Sequence, residues 1–126
     1  MLKLKRAYEP AARDDGQRFL VERLWPRGLS KSTLRLDAWL KDVAPSPELR
    51  KWFSHDPRKW PEFQKRYRSE LKRHPEACDP IVRAAQQGTV TLVYGSRDPQ
   101  RNSAAVLCAY LKKQLTGKQF SGKLPA

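Results

Sequence analysis

Thr89-Val90-Thr91-Leu92-Val93-Tyr94, followed at once by Gly95-Ser96-Arg97-Asp98-Pro99, is the stretch on which the fold turns. β-Branched residues and a tyrosine fill its first part, a composition suited to a packed pleated surface, so it reads as a strand. Gly and Pro punctuate its second part, so the chain turns there. Downstream, Asn102 or Ser103 is placed to cap a last helix, whose face Ala104, Leu107, Cys108, Leu111 and Leu115 packs against the strand. Upstream, Gly88 releases the chain from a short helix that Asp79-Pro80 caps and that runs through Gln86.

A second strand is expected at Gln17 to Trp25, where Phe19-Leu20-Val21 and Leu24-Trp25 carry the apolar content between the Asp14-Asp15-Gly16 turn and the stop at Pro26-Arg27-Gly28. Leu2 to Tyr8 alternates apolar and basic residues, as a charge-guarded edge strand does. From Ser30 the spacing of Leu36, Trp39, Leu40 and Val43 predicts a helix that ends at Ala44-Pro45. Ser46 then caps a short helix with Pro47 at its first position and Leu49, Trp52 and Phe53 on its apolar side. Asp56-Pro57 repeats that signal for a longer helix to about Arg73, with Trp60, Phe63, Tyr67 and Leu71 as its buried stripe. Strands separated by helices imply a small α/β domain with a short, mostly parallel sheet and several helices. It is expected over 1–115, with a polar basic tail at 116–126.

The chain of 126 residues fits one domain with material for a real core, since 39% of it is hydrophobic. Its 26 Lys and Arg against 13 Asp and Glu give a formal charge of +13. A field of that sign attracts nucleic acid, nucleotides or acidic surfaces, although small basic proteins are also often only soluble. No apolar stretch reaches bilayer-spanning length and Met1-Leu2-Lys3-Leu4-Lys5 lacks a signal-peptide core, so a cytoplasmic, non-membrane protein is expected. Cys78 and Cys108 are expected as free thiols. His74 and Cys78 lie on one potential helix face that Pro75 interrupts, with no third ligand nearby, so no metal is expected. No P-loop, dinucleotide-type glycine loop or zinc ribbon is present, and no cofactor is expected.

In parallel sheets ligands gather outside the carboxyl ends of the strands. Those ends are Trp25-Pro26-Arg27-Gly28 and Tyr94-Gly95-Ser96-Arg97-Asp98, each with an arginine on a turn, so Arg27 and Arg97 are expected to face one crevice. Backbone N–H groups near Asn102 to Ala105 point the same way and favour negative charge. The expected ligand-binding set is Arg18, Arg23, Trp25, Arg27, Lys31, Tyr94, Ser96, Arg97 and Asn102. A competing reading has Arg18, Arg23 and Arg27 pairing with Glu22, Asp15 or Asp37 to hold loops. Trp39, Trp52 and Trp60 read as core, with Trp25 open between core and base stacking.

If a reaction occurs, its carboxylate base is Asp15, Glu22, Asp37 or Asp98, with Arg27, Arg97 and Lys31 stabilising negative charge. His55 is the other proton carrier, in a loop where an imidazole also satisfies backbone groups. No nucleophilic triad stands out. On the long helix Arg58, Lys65, Arg68 and Lys72 form an uncompensated basic flank, whereas Glu62, Arg66 and Glu70 on the other flank are spaced to pair. That flank is either a solvated face or a phosphate-contacting one.

The run Asp15-Gly16-Gln17-Arg18-Phe19-Leu20-Val21-Glu22-Arg23-Leu24-Trp25-Pro26-Arg27-Gly28 resembles the signature of the YeaO-like family, an Asp-Gly-x-Arg segment leading into Arg-Leu-Trp-Pro-Arg-Gly. The likeness continues through Lys31, Asp37, Trp39, Lys41, Ala44-Pro45, Leu49-Arg50, Trp52-Phe53, His55-Asp56-Pro57, Trp60, Phe63 and Tyr67. It resumes at Leu92 to Tyr94, Asp98, Asn102 and Ala105, so it spans nearly all of Lys3 to Leu115. The resemblance implies a Rossmann-like three-layer α/β fold in a bacterial domain with no assigned substrate. Two departures stand out. Glu22 takes a place where Asp is common, and Ser103 takes one where many relatives carry His, which removes a histidine acid/base step there.

Three functions follow: binding of nucleic acid or a nucleotide-like anion at the basic crevice, a small enzyme on a phosphorylated or carboxylated substrate in the same crevice, or a regulatory module for an acidic protein partner. The residues name neither a reaction nor an oligomeric state.

Overall fold

A computed structural model describes residues 1–123, with side chains described for residues 1–116. Its sheet has four strands, β1 (Leu2–Arg6), β2 (Gln17–Leu20), β3 (Ala38–Trp39) and β4 (Val90–Tyr94), in the order β1-β4-β2-β3. Every pairing is parallel. The last strand in sequence therefore enters between the first two, with Leu92 opposite both Leu4 and Phe19. β4 is buried from end to end, as its near-continuous apolar run demands of a central parallel strand.

Two cores follow from the pleat. Phe19 and Val21 share one face with Val90, Leu92 and Tyr94, and meet the helices α2 (Pro47–Phe53), α3 (Trp60–Arg73), α4 (Asp79–Gln87) and α5 (Ser103–Lys123). Leu20 and Val93 point to the other face, where Ala7 and Leu34 of the short helix α1 (Lys31–Leu34) close over them with Trp25 and Trp39. The expected small three-layer α/β domain is what forms. α5 lies along β1 and β4, and α3 packs on α5. Its bounds also take in most of the stretch read as a tail, while residues 124–126 lie outside those described.

Local signals account for most of the ends. Ser46 Oγ accepts from the Leu49 amide at 3.2 Å with Pro47 first in α2. Asn102 Oδ1 accepts from the Ala105 amide at 2.8 Å and so caps α5. Gly16 has φ +65° and lies so close to Thr89 that a Cβ there would sit 2.0 Å from the Thr89 carbonyl oxygen, so only glycine fits between the first turn and β2.

Three expectations need correction. The strand at Gln17 to Trp25 stops at Leu20, because Leu20 pairs with Val93 and one residue later β4 runs out; Val21 still donates to the Val93 carbonyl at 3.2 Å. The helix expected from Ser30 to Val43 is instead α1, a left-handed Arg35 (φ 49°), β3 and a 3-10 turn at Lys41–Val43. Leu36 and Trp39 pack in the smaller core while Leu40 and Val43 pack in the larger, so their helical spacing is a coincidence of two layers. Asp79 and Pro80 are the first helical residues of α4 and not its cap, which is Cys78.

Candidate functional site

At the carboxyl ends of β2 and β4 a cavity of about 730 Å³ opens between the sheet and the helices. Glu22, Arg23 and Leu24 line it where the chain leaves β2, Ser96 where it leaves β4, and Arg101, Asn102 and Ser103 at the start of α5. The far wall is α2 and its exit, with Arg50, Lys51, Phe53, Ser54 and His55, above Ala44, Pro45 and Phe63. Cations and apolar surface thus meet in one hollow, at the place where parallel strands expose their last amides.

Glu22 is the acid at the centre of this geometry. Its Oε1 accepts from the Gly95 amide at 3.1 Å, and the Ser96 amide also holds the carboxylate. Burial raises its pKa above the usual 4.5, with the two amides and the nearby Arg50 pulling the other way. Gly95 lets it approach, since a Cβ there would stand 3.3 Å from Glu22 Oε2.

The cations around it differ in their ties. Arg23 donates from Nε to the Pro45 carbonyl at 3.0 Å, which fixes its stem against the wall. Arg50 and Arg101 are exposed, and neither forms an ion pair with the described residues. Asp98 turns the chain before Arg101, with Oδ1 accepting from the Gln100 and Arg101 amides at 2.9 and 3.0 Å, and those amides hold its pKa low. Across the cavity Ser54 and His55 both have positive φ, 46° and 58°, an arrangement that costs energy for residues with side chains and that brings both to the lining.

Of the residues expected from sequence, Glu22, Arg23, His55, Ser96 and Asn102 line the cavity. Arg27 and Arg97 do not: both are exposed, and the Arg27 carbonyl instead accepts from the Tyr8 hydroxyl at 3.0 Å. Tyr94 is buried in the main core, and Lys31 is an exposed residue in the first turn of α1. Trp25 meets Trp39 edge to face at 5.4 Å and donates to the Leu29 carbonyl at 2.6 Å, which makes it a packing residue. Arg50, Lys51, Ser54, Arg101 and Ser103 were missed, though the capped start at Asn102 signalled the last two.

Asp15 and Arg18 lie at the other end of β2. Both are buried and their side chains meet at 2.6 Å, with Lys5 Nζ 3.0 Å from Asp15 Oδ1 and Arg18 Nε donating to the Leu34 carbonyl at 3.0 Å. Burial alone would raise the Asp15 pKa, but the Ala12 amide, Lys5 and Arg18 together hold it below its usual value. Asp37 accepts from the Arg18 amide at 2.7 Å, so it too organises that end.

On α3 Lys65 and Lys72 are exposed and Arg68 half-buried, while Arg58, just before the helix, reaches Asp56 at 3.2 Å. On the opposite flank Arg66 pairs with Glu62 at 3.2 Å, and Glu70 instead accepts from the Ser46 amide and hydroxyl at 2.9 and 2.5 Å. Cys78 and Cys108 are free and buried; burial raises both thiols, Cys78 to about 11, which leaves them unreactive. Among the described residues no three His, Cys, Asp or Glu converge as a metal site, and no helix is long and apolar enough to cross a membrane.

The chain matches the family described as the inactive DUF488-N3 subclade over residues 1–125. It is 39% identical over 111 residues to the uncharacterized protein YeaO of Escherichia coli K12, covering 88% of this chain and 96% of that one. It is 42% identical over 110 residues to the uncharacterized protein Rv3073c of Mycobacterium tuberculosis H37Rv, covering 87% and 92%, and equally to Mb3100c of Mycobacterium bovis. No solved structure matches it.

Proposed function

From a chain that belongs to the DUF488-N3 family, in its subclade described as inactive, and that has YeaO among its relatives, we propose a protein that binds a small anion with an apolar body and does not transform it. One observation carries this reading: the cavity at the ends of β2 and β4 joins Arg50 and Arg101, which form no ion pair with the described residues, to an apolar wall of Phe53 and Phe63. Guanidinium forks suit phosphate or carboxylate. The Phe53 ring, stacked on the buried Phe63 with centroids 4.5 Å apart, offers an apolar surface for the body of an aromatic or nucleotide-like ligand. At about 730 Å³ the hollow matches one small molecule better than the backbone of a polymer.

The inactive description favours binding over turnover, and the side chains agree with it. Glu22 is a carboxylate in the cavity with a raised pKa, and it accepts from the Gly95 backbone amide. The test is calorimetric titration with phenyl phosphate, adenosine monophosphate, inorganic phosphate and a short single-stranded DNA. The expected result is saturable binding of the two organic phosphates, weakened about tenfold or more by Arg50→Ala or Arg101→Ala, as loss of one charged contact requires. Tight DNA binding lost with Arg68→Ala and Lys72→Ala, and indifferent to Arg50, would instead locate the function on the α3 flank.

A further inference from the structure

We propose that Glu22 is a resident anion of this cavity: its carboxylate occupies the amides at the end of β4 that an incoming anionic head group uses, and binding displaces it. This rests on the reading that the cavity takes an anion.

The geometry carries the inference in three steps. β4 ends at Tyr94, so the Gly95 amide is the first of the central strand left beyond the regular pairing, and the next residue, Ser96, lines the hollow together with Glu22. A half-buried amide needs an acceptor, and Glu22 supplies one at 3.1 Å. The absence of a side chain at residue 95 eases the contact, since a Cβ there would stand 3.3 Å from Glu22 Oε2.

The contact is local and replaceable. Glu22 stands on the bend after β2 with its side chain on the cavity wall, and its backbone is fixed independently, since its carbonyl accepts from Trp39 Nε1 at 2.5 Å. The side chain can therefore leave Gly95 without unpicking the bend. Arg50, whose charge already acts on Glu22 from α2, receives the displaced carboxylate. A ligand head group then takes the Gly95 and Ser96 amides beside Arg101, while Glu22 offsets part of the cationic wall it vacates. The consequence is selectivity: an anion must outcompete a tethered carboxylate, so weakly held inorganic ions are excluded and a head group anchored by an apolar body is admitted.

The test uses benzenesulfonate, an aromatic anion whose charge is constant over the working pH range, titrated into the full chain and into Glu22→Gln and Glu22→Ala, with folding verified by amide spectra. Both variants are expected to bind about tenfold more tightly than the parent, because the competing charge is gone. In the parent, the Glu22 side-chain carboxyl carbon resonance is expected to move with the Gly95 amide as the ligand saturates. Parent binding with unchanged or weaker affinity in both variants, or saturation with an unmoved Glu22 resonance, overturns the displacement while leaving the anion site standing. No binding to the parent or to either variant overturns the site and the displacement together.

Discussion

β2 carries an acid just beyond each of its ends, and the two have opposite fates. At the amino end Asp15 is fully enclosed, receives Lys5 and Arg18 at 3.0 and 2.6 Å, and has its pKa held down. At the carboxyl end Glu22 lines an open hollow, touches backbone amides, faces arginines that pair with no described residue, and has its pKa raised. Charge is abundant at both. What differs is whether the cations meet a carboxylate. Lys5 and Arg18 both reach Asp15, although Arg18 Nη2 has no hydrogen-bond partner among the described residues. The exposed Arg50 and Arg101 pair with no described carboxylate beside a cavity, which is the end we propose takes a ligand.

The largest effect expected from breaking this contrast is at the closed end. Asp15→Ala leaves Arg18 and Lys5 without their buried partner and should cost about 3–5 kcal/mol in urea unfolding. Adding Arg18→Met should restore part of that loss, since the uncompensated charge leaves with it. Gly16→Ala, forced into φ +65° against the Thr89 carbonyl, should cost about 1–3 kcal/mol in the same assay.

A smaller effect is carried by pH, with opposite signs at the two ends. Asp15 has a lowered pKa, so its contribution to stability is complete above its ordinary 3.8 and is lost as pH falls through the lowered value. Glu22 has a raised pKa, so its contribution is complete below its ordinary 4.5 and is lost as pH rises through the raised value. Arg23, Arg50 and Arg101 line the hollow with Glu22, as do His55, Glu48 and Lys51. Unfolding free energies measured across acid pH should therefore separate: Glu22→Gln removes the gain on acidification, and Asp15→Asn removes the later loss. At neutral pH the smallest change is expected, with Glu22→Gln shifting stability by no more than about 1 kcal/mol because the amide oxygen still accepts from Gly95.

Much of this was legible in the residues. The β4 run, the caps at Ser46 and Asn102, the edge strand β1 and the stripe Phe63, Tyr67 and Leu71 all follow from local rules, and they point to the strand ends, where the cavity opens. Which arginines line that cavity did not follow. Arg27 and Arg97 sit on the right turns in sequence but project to solvent, whereas Arg50 arrives from α2, whose placement depends on how α2 packs on α3. Arg18 shared a motif with Glu22 and is separated from it by the length of β2, because a strand carries neighbours in sequence to opposite ends of a domain. The false helix at Ser30 to Val43 has a similar cause, since periodicity cannot report that its apolar residues serve two different cores.

The central claim is that the carboxyl end of β2 and β4, and not the amino end or the α3 flank, receives an anion. Amide spectra recorded while phenyl phosphate is added test it most directly. Saturable shifts at Gly95, Ser96, Ser103 and Ala104, with Arg13 to Arg18 unmoved, are the predicted result. Shifts that fail to saturate, or that gather at Lys65, Arg68 and Lys72, would contradict it.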